Sequence, residues 1–312
     1  MTDASLLAEL ISRSATRHPE AIALSYGKQS MSYAALQKSI EGFVAGLLGL
    51  GLQRGERVAI YLEKRLETVI ASFGSTAAGC VFVPLNPLLK ADQVAYIMHD
   101  CNVRALVTSS ERLPLLTPIL SSCHDLRHVL VVGGESLAGG GAPLAWLRWD
   151  DLLQTDGSTS GHRVIDSDMA AILYTSGSTG KPKGVVLSHR NLVAGAKSVA
   201  SYLGNHADDT LLAALPLSFD AGFSQLTTAF HVGARVVLLN YLLPQDVLRA
   251  LARERISGLT AVPPLYIQLA ELEWPATIGE HLRYFANTGG RLPRETLAAL
   301  RARLPGSRPY LM

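Results

Sequence analysis

Five short apolar runs, at residues 169–174, 211–217, 234–239, 258–262 and 282–286, alternate with stretches whose apolar residues recur at helical spacing. Those stretches cover 191–203, 223–231, 244–255, 264–272 and 292–304. Strands separated by helices of this length pair in parallel through crossovers, so the pattern predicts an α/β fold with helices on both faces of each sheet. The first half follows the same rule less cleanly. Helical spacing is read at 32–49, 66–78 and 91–100, and strand character at 57–62, 80–85, 104–108 and 128–132. Residues 133–143 read as a glycine-rich loop, and the polar, turn-rich stretch 154–168 marks the expected boundary between two doubly wound lobes, 1–160 and 161–312.

With 312 residues, nearly half of them apolar, the chain is long enough to bury a substantial core in one large or two ordinary domains. A net charge of +2 with scattered basic residues leaves no electrostatic footprint for nucleic acid. No uncharged apolar run reaches the length of a membrane span, and no signal peptide is evident at the N-terminus. Cys80, Cys101 and Cys123 lack metal-ligand spacing and read as reduced, buried thiols, which makes a cytoplasmic location the expectation. No metal-ligand set is read from the sequence.

The first apolar run leads into YTSGSTGKPKGVVLSH, residues 174–189. Glycines, hydroxyls and lysines in one short loop can wrap closely round an anion. The loop is not a Walker P-loop: two residues separate Gly177 from Gly180 instead of four, and Pro182 follows Lys181 where a Ser or Thr would hold magnesium. Pro182 also turns Lys181 away from helical dihedrals. Gly184 to Leu187 has strand character, so the pattern is strand, glycine-rich turn, strand.

Three further unusual segments follow predicted strands: Ser218-Phe219-Asp220-Ala221-Gly222, Pro263-Pro264-Leu265 and Asn287-Thr288-Gly289-Gly290-Arg291. Ligands of open α/β sheets bind outside the carboxyl ends of the strands, so one cleft is the economical expectation for all four segments.

LYTSGSTGKPKGVVLSH resembles the phosphate-loop signature of the adenylate-forming superfamily, which includes acyl-CoA synthetases, peptide-synthetase adenylation domains and luciferases. Four other segments resemble elements of that family in the same order: MSYAAL (31–36), STAAGCVFVPLNPLL (75–89), LPLSFDAG (215–222) and NTGGRLP (287–293). The resemblance covers the whole chain and implies the two α/β lobes of such an enzyme's large N-terminal region, without its C-terminal domain. Family members continue into Y-G-x-T-E, whose Glu holds magnesium, and later carry a ribose-binding Asp and a catalytic Lys on a small mobile domain. The apolar run 310–312 is followed by none of these, so a fragment is expected, inactive in isolation.

The resemblance implies an AMP-forming ligase that converts a carboxylic or amino acid and Mg-ATP into an adenylate and pyrophosphate. Transfer to the thiol of coenzyme A or of a carrier-protein phosphopantetheine would follow. Thr175, Ser176, Gly177, Ser178, Thr179, Gly180 and Lys183 would hold the phosphates, with Lys183 catalytic, and Gly289, Gly290 and Arg291 would line the adenine. Phe219, Asp220, Ser224, Ala261, Ala286 and Thr288 would line the acid pocket. Asp220 has a competing reading as a helix N-cap. His189 is read as packed against structure, Lys181 as solvent-facing, and Ser188 or Asn191 as the cap of the following helix. The rivals are a non-catalytic nucleotide-binding protein, were the natural chain to end at Met312, an ordinary P-loop phosphotransferase and, within the family, a fatty- or aryl-acid ligase.

Overall fold

The apolar runs become strands of two seven-stranded sheets, each parallel except at one edge. This computed structural model describes residues 3–134, 144–155, 157, 160–175 and 181–312. The chain opens with α1 (Glu9–Arg17) and the hairpin β1 (Ile22–Tyr26) and β2 (Gln29–Ser32). Next come α2 (Tyr33–Gly49), β3 (Arg57–Tyr61), α3 (Leu66–Ala77), β4 (Val81–Pro84), α4 (Ala91–Asp100) and β5 (Val103–Ser109). They are followed by α5 (Leu113–Leu120), β6 (His128–Val132), β7 (Ala145–Arg148), α6 (Trp149–Leu153), β8 (Met169–Thr175) and β9 (Lys183–Ser188). The remainder is α7 (His189–Leu203), β10 (Thr210–Ala213), α8 (Asp220–Val232), β11 (Arg235–Leu238) and α9 (Pro244–Arg253). It closes with β12 (Gly258–Ala261), α10 (Pro263–Ala270), β13 (Tyr284–Asn287), α11 (Arg294–Arg303) and β14 (Arg308–Leu311).

Two compact units result: Met1–Arg13 with Ala34–Val193, and Ser14–Tyr33 with Ala194–Met312. The first holds the sheet β7-β6-β5-β3-β4-β8-β9. Its strand residues Ala59, Val83, Leu106 and Val129 pack with Val94, Ile97 and Met98 of α4 and Leu116 and Leu120 of α5. The buried thiols belong to this unit. Burial pushes Cys80 up to about 12 and Cys101 to about 11, so both stay protonated at neutral pH.

The second unit holds the sheet β14-β13-β12-β10-β11-β1-β2. One sheet face carries Leu212, Leu259, Ala261 and Phe285 against Val247 and Leu251 of α9, Leu265 and Leu269 of α10, and Leu300 of α11. From β10 the chain runs to β11 on one side and then crosses to β12 on the other. That reversal is a topological switch point, where successive loops diverge and open a crevice.

The division differs from the expected 160/161 boundary. Residues 161–193 stay with the first unit because β8 pairs with β4 at Ala171 and Phe82, and His162 N donates to the Ala78 carbonyl at 3.0 Å. An ion pair of 2.7 Å joins Arg54 to Asp168. Residues 14–33 join the second unit instead. There β1 pairs with β11, Ser14 Oγ donates to the Phe230 carbonyl at 2.9 Å, and Tyr33 Oη donates to the Ala234 carbonyl at 2.7 Å.

Candidate functional site

In the first unit the glycine-rich segment joins the two strands of an antiparallel hairpin. The register sets Thr175 of β8 opposite Lys183 of β9, and both are exposed. Ser176, Gly177, Ser178, Thr179 and Gly180 lie outside the described residues. The stem is tied to α4 at two points. Tyr174 Oη donates to Asp100 Oδ2 at 2.6 Å, and Tyr96 Oη donates to the Pro182 carbonyl at 3.4 Å. Lys181, exposed as expected, has its ammonium 5.7 Å from the centre of the Tyr96 ring. That cation–π contact is worth about 0.5–1 kcal/mol at an exposed site.

After β9 the polar residues serve structure. Ser188 N donates to Asn191 Oδ1 at 3.0 Å and Asn191 N donates back to Ser188 Oγ at 3.2 Å, a reciprocal cap on α7. His189 is 1% exposed, and its Nδ1 accepts the Leu7 N–H at 3.1 Å. Burial holds the imidazole below its ordinary pKa despite the nearby carboxylates of Asp168, Glu9 and Asp166. A neutral histidine fixed this way is a packing element.

In the second unit a cavity of about 230 Å³ opens among α7, α8 and the sheet face opposite the α9–α11 core. The strands contribute Leu211, Gly258, Thr260 and Tyr284, and Thr288 follows the end of β13. From α7 come Val199, Tyr202 and Leu203. Helix α8 contributes Asp220, Ala221, Ser224, Gln225 and Thr228. Positions 221, 224, 225 and 228 have the i, i+3, i+4, i+7 spacing of a single helical stripe. A Cβ at Gly258 would stand 2.4 Å from the Tyr284 ring, so glycine there lets the tyrosine lie across the sheet face. Asn205 Nδ2 donates to Tyr284 Oη at 3.1 Å and holds it there.

Of the six residues expected in the acid pocket, Asp220, Ser224 and Thr288 line this cavity. Asp220 is exposed and is the first residue of α8. The N-cap is Phe219, which makes no side-chain capping bond, so Asp220 is not the N-cap. Phe219 is 40% exposed and does not line the cavity. Ala261 is corrected: it packs in the opposite core with Leu259, and strand alternation gives the cavity face to Gly258 and Thr260. Ala286 shares the parity of Tyr284 but is fully buried behind the lining. Gln225, Thr228, Thr260 and Tyr284 escaped the sequence reading. The α8 stripe through Ser224 was the signal for the first two.

The turn after β13 is built by its own hydrogen bonds. Asn287 Nδ2 donates to the Gly290 carbonyl at 2.7 Å, and Thr288 N donates to the Ala261 carbonyl at 3.0 Å. Gly289 has φ +75°, a conformation that side chains disfavour. Gly289, Gly290 and Arg291 are all exposed at this strand end. Asn287 Oδ1 is buried without a partner. Among the described residues no group of three or more His, Cys, Asp or Glu could hold a metal ion.

A doubly wound α/β unit with a cavity at its switch point, together with another whose glycine-rich segment joins an antiparallel hairpin, defines a nucleotide-handling class of protein. The chain belongs to the AMP-binding enzyme family, whose model matches residues 11–311. Among its relatives, the L-proline–[L-prolyl-carrier protein] ligase of Streptomyces coelicolor is 30% identical, over 91% of this chain and 54% of its own length. The medium-chain fatty-acid–CoA ligase of Escherichia coli is 28% identical over 94% of this chain and 52% of its own. The chain thus spans about half of each. It spans only 5% of a linear gramicidin synthase of Brevibacillus parabrevis, with 29% identity over 84% of this chain. Among solved structures, an anthranilate CoA ligase in complex with anthranoyl-AMP superposes with a TM-score of 0.88 at 25% identity, covering 97% of this chain and 58% of that one. VinN in complex with L-aspartate superposes with a TM-score of 0.80 at 26% identity, covering 97% of this chain and 74% of that one. Among the described residues no helix is long and apolar enough to cross a membrane.

Proposed function

We propose that this chain is the acid-activating part of an AMP-forming ligase, and that its acid is a small amino acid. The observation that carries the reading is the cavity at the switch point of the second sheet, with the Asp220 carboxylate on its lining, in a chain of the AMP-binding family. A dry cavity of about 150 Å³ takes up benzene. One of about 230 Å³ therefore has room for a short side chain or a single ring.

In this reading a carboxylate oxygen of the acid bonds to the α-phosphorus of ATP as the bond to the pyrophosphate oxygen breaks. The protein's part is positioning and charge stabilisation. Lys183 and Thr175 place an ammonium and a hydroxyl at the mouth of the glycine-rich segment, where they stabilise charge growing on the leaving pyrophosphate. Gly289 and Gly290 leave room for a flat base against the turn, with Arg291 beside them. Asp220 receives the substrate ammonium through a charge-assisted hydrogen bond. His189 is not assigned as a base, because an ionised carboxylate needs none. Magnesium would arrive with ATP, held by phosphate oxygens and water. The acceptor thiol is that of coenzyme A or a carrier-protein phosphopantetheine; of the relatives' names, one mentions CoA and another a carrier protein.

The test is acid-dependent ATP–pyrophosphate exchange by the complete gene product, over amino acids, their des-amino analogues and long fatty acids. At least one small amino acid should support exchange and hexadecanoate should not. Asp220→Asn should cut the preference for the amino acid over its des-amino analogue by about 10–100-fold, the worth of one hydrogen bond to a charged group. The melting temperature should hardly change. Exchange with fatty acids alone, or an unchanged preference in the variant, contradicts the amino-acid reading.

A further inference from the structure

The register of the second sheet orders the cavity wall from mouth to floor. Asp220 and Thr288 stand beyond the carboxyl ends of the strands. From there α8 runs back along the sheet. Gly222 lies against Pro216, shortly after β10, and Gln225 Nε2 donates to the Leu212 carbonyl within β10 at 3.1 Å. At the other end Leu211, Gly258 and Tyr284 are register partners on β10, β12 and β13, and all three line the cavity. Thr288 and Tyr284 are four residues apart along one extended segment, so about 13 Å separates mouth from floor.

The tyrosine ring covers the sheet at that lower row. Gly258 has no side chain, and a Cβ there would stand 2.4 Å from both Cζ and Oη of Tyr284 and 2.7 Å from Leu211 Cδ2. The tips of Tyr284 and Leu211 therefore meet over β12. The ring is clamped in place: Asn205 Nδ2 donates to its Oη at 3.1 Å, and Tyr310 meets it edge to face with 5.9 Å between centroids. Asn205 is itself fastened to Asp209 Oδ2 at 3.0 Å. Tyr284 is 2% exposed and Leu211 is 4% exposed, the packing of a closed end.

Resting on the adenylation reading, we infer that the Tyr284 ring is the floor of the acid pocket and sets the length of acid that the enzyme activates. The acid carboxylate stays at the mouth, because the turn proposed for adenine, Gly289 and Gly290, directly follows Thr288. Its chain then points down the sheet toward the ring. A chain that reaches the ring gains dispersion contacts, and one that must displace it meets overpacking strain. One methylene more or less in an apolar pocket changes kcat/KM by about 10–200-fold, so a fixed floor is enough to choose among homologous acids.

The experiment measures ATP–pyrophosphate exchange by the complete gene product over straight-chain 2-amino acids, from alanine to 2-aminooctanoate, and over the matching unsubstituted acids. Wild-type activity should fall away above one chain length. Tyr284→Val removes the ring and keeps a residue suited to a strand. It should raise kcat/KM for acids longer than the wild-type optimum, relative to that optimum, by about 10-fold or more. Gly258→Ala should act in the opposite direction: the added methyl lifts the ring tip off β12 into the cavity, and the optimum moves to a shorter acid. Tyr284→Phe keeps the ring and should leave the length profile unchanged. A wild type with no upper length limit, or a folded Tyr284→Val enzyme with the wild-type profile, overturns the inference and leaves adenylation standing. Where Tyr284→Val does not fold, Gly258→Ala decides, and an unchanged or longer optimum overturns the inference. Exchange with no acid at all overturns the adenylation reading and the inference with it.

Discussion

Asp209 takes no part in the proposed chemistry, yet it organises one wall of the cavity. Its carboxylate is 1% exposed and takes a two-pronged grip from Arg283, with Nε at 2.8 Å and Nη2 at 2.6 Å. Ser257 Oγ donates to it at 2.7 Å and Asn205 Nδ2 at 3.0 Å, and the same Asn205 amide holds Tyr284. Burial pushes the acid upward, but the hydrogen bonds from Arg283, Asn205 and Ser257 outweigh it and hold the carboxyl below its ordinary range. A depressed folded pKa stabilises the fold above the unfolded value of about 3.9, and that stability is lost as pH falls through the folded value. Asp209→Ala should cost about 1–3 kcal/mol at pH 7, because the half-buried donors of Arg283, Ser257 and Asn205 lose their acceptor. Urea unfolding at pH 7 and pH 3 should show that difference shrinking in acid; a difference that persists at pH 3 would contradict the assignment. At this scale the sequence was partly legible. Asp220 and Thr288 stood out because they flank strand ends; Ala261 was read for the pocket from its place at a strand end, although its polar neighbour Thr260 is the residue that lines the cavity.

Helix α8 ties the motif to the cavity. Its start is set by Gly222, where a Cβ would lie 1.9 Å from the Pro216 carbonyl oxygen. Only glycine lets the first turn lie directly on the preceding loop. Gly222→Ala must push one backbone segment away from the other, at about 1–3 kcal/mol of overpacking strain. The variant should melt lower and show a raised KM for the acid, because Asp220 stands two residues upstream. Wild-type values for both quantities would show that the loop yields freely. Strands β3 to β6 and β10 to β13 were legible because their apolar runs are buried on both faces. The edge strands β2 and β7 were not, because edge positions keep exposed or half-buried residues that nothing in their composition separates from loop. Strand β1 was missed as well, although it is an inner strand with Ala23, Leu24 and Ser25 buried.

Over the whole molecule, alternation of strand and helix identified the α/β class, and the signature segments identified the family. The division of the chain was hidden. It depends on pairings between distant segments, β8 with β4 and β1 with β11, that no local composition records. The polar stretch 154–168 reads as linker, although His162 and Asp168 bind it to the first unit. The central claim, that the enzyme containing this chain makes an acyl-adenylate, has a direct measurement. The complete gene product is incubated with ATP and its best acid, without a thiol acceptor, and the products are resolved by mass spectrometry. The expected result is an acid–AMP mixed anhydride with one pyrophosphate per adenylate; ADP and phosphate, or ATP left intact with every acid, would contradict the claim.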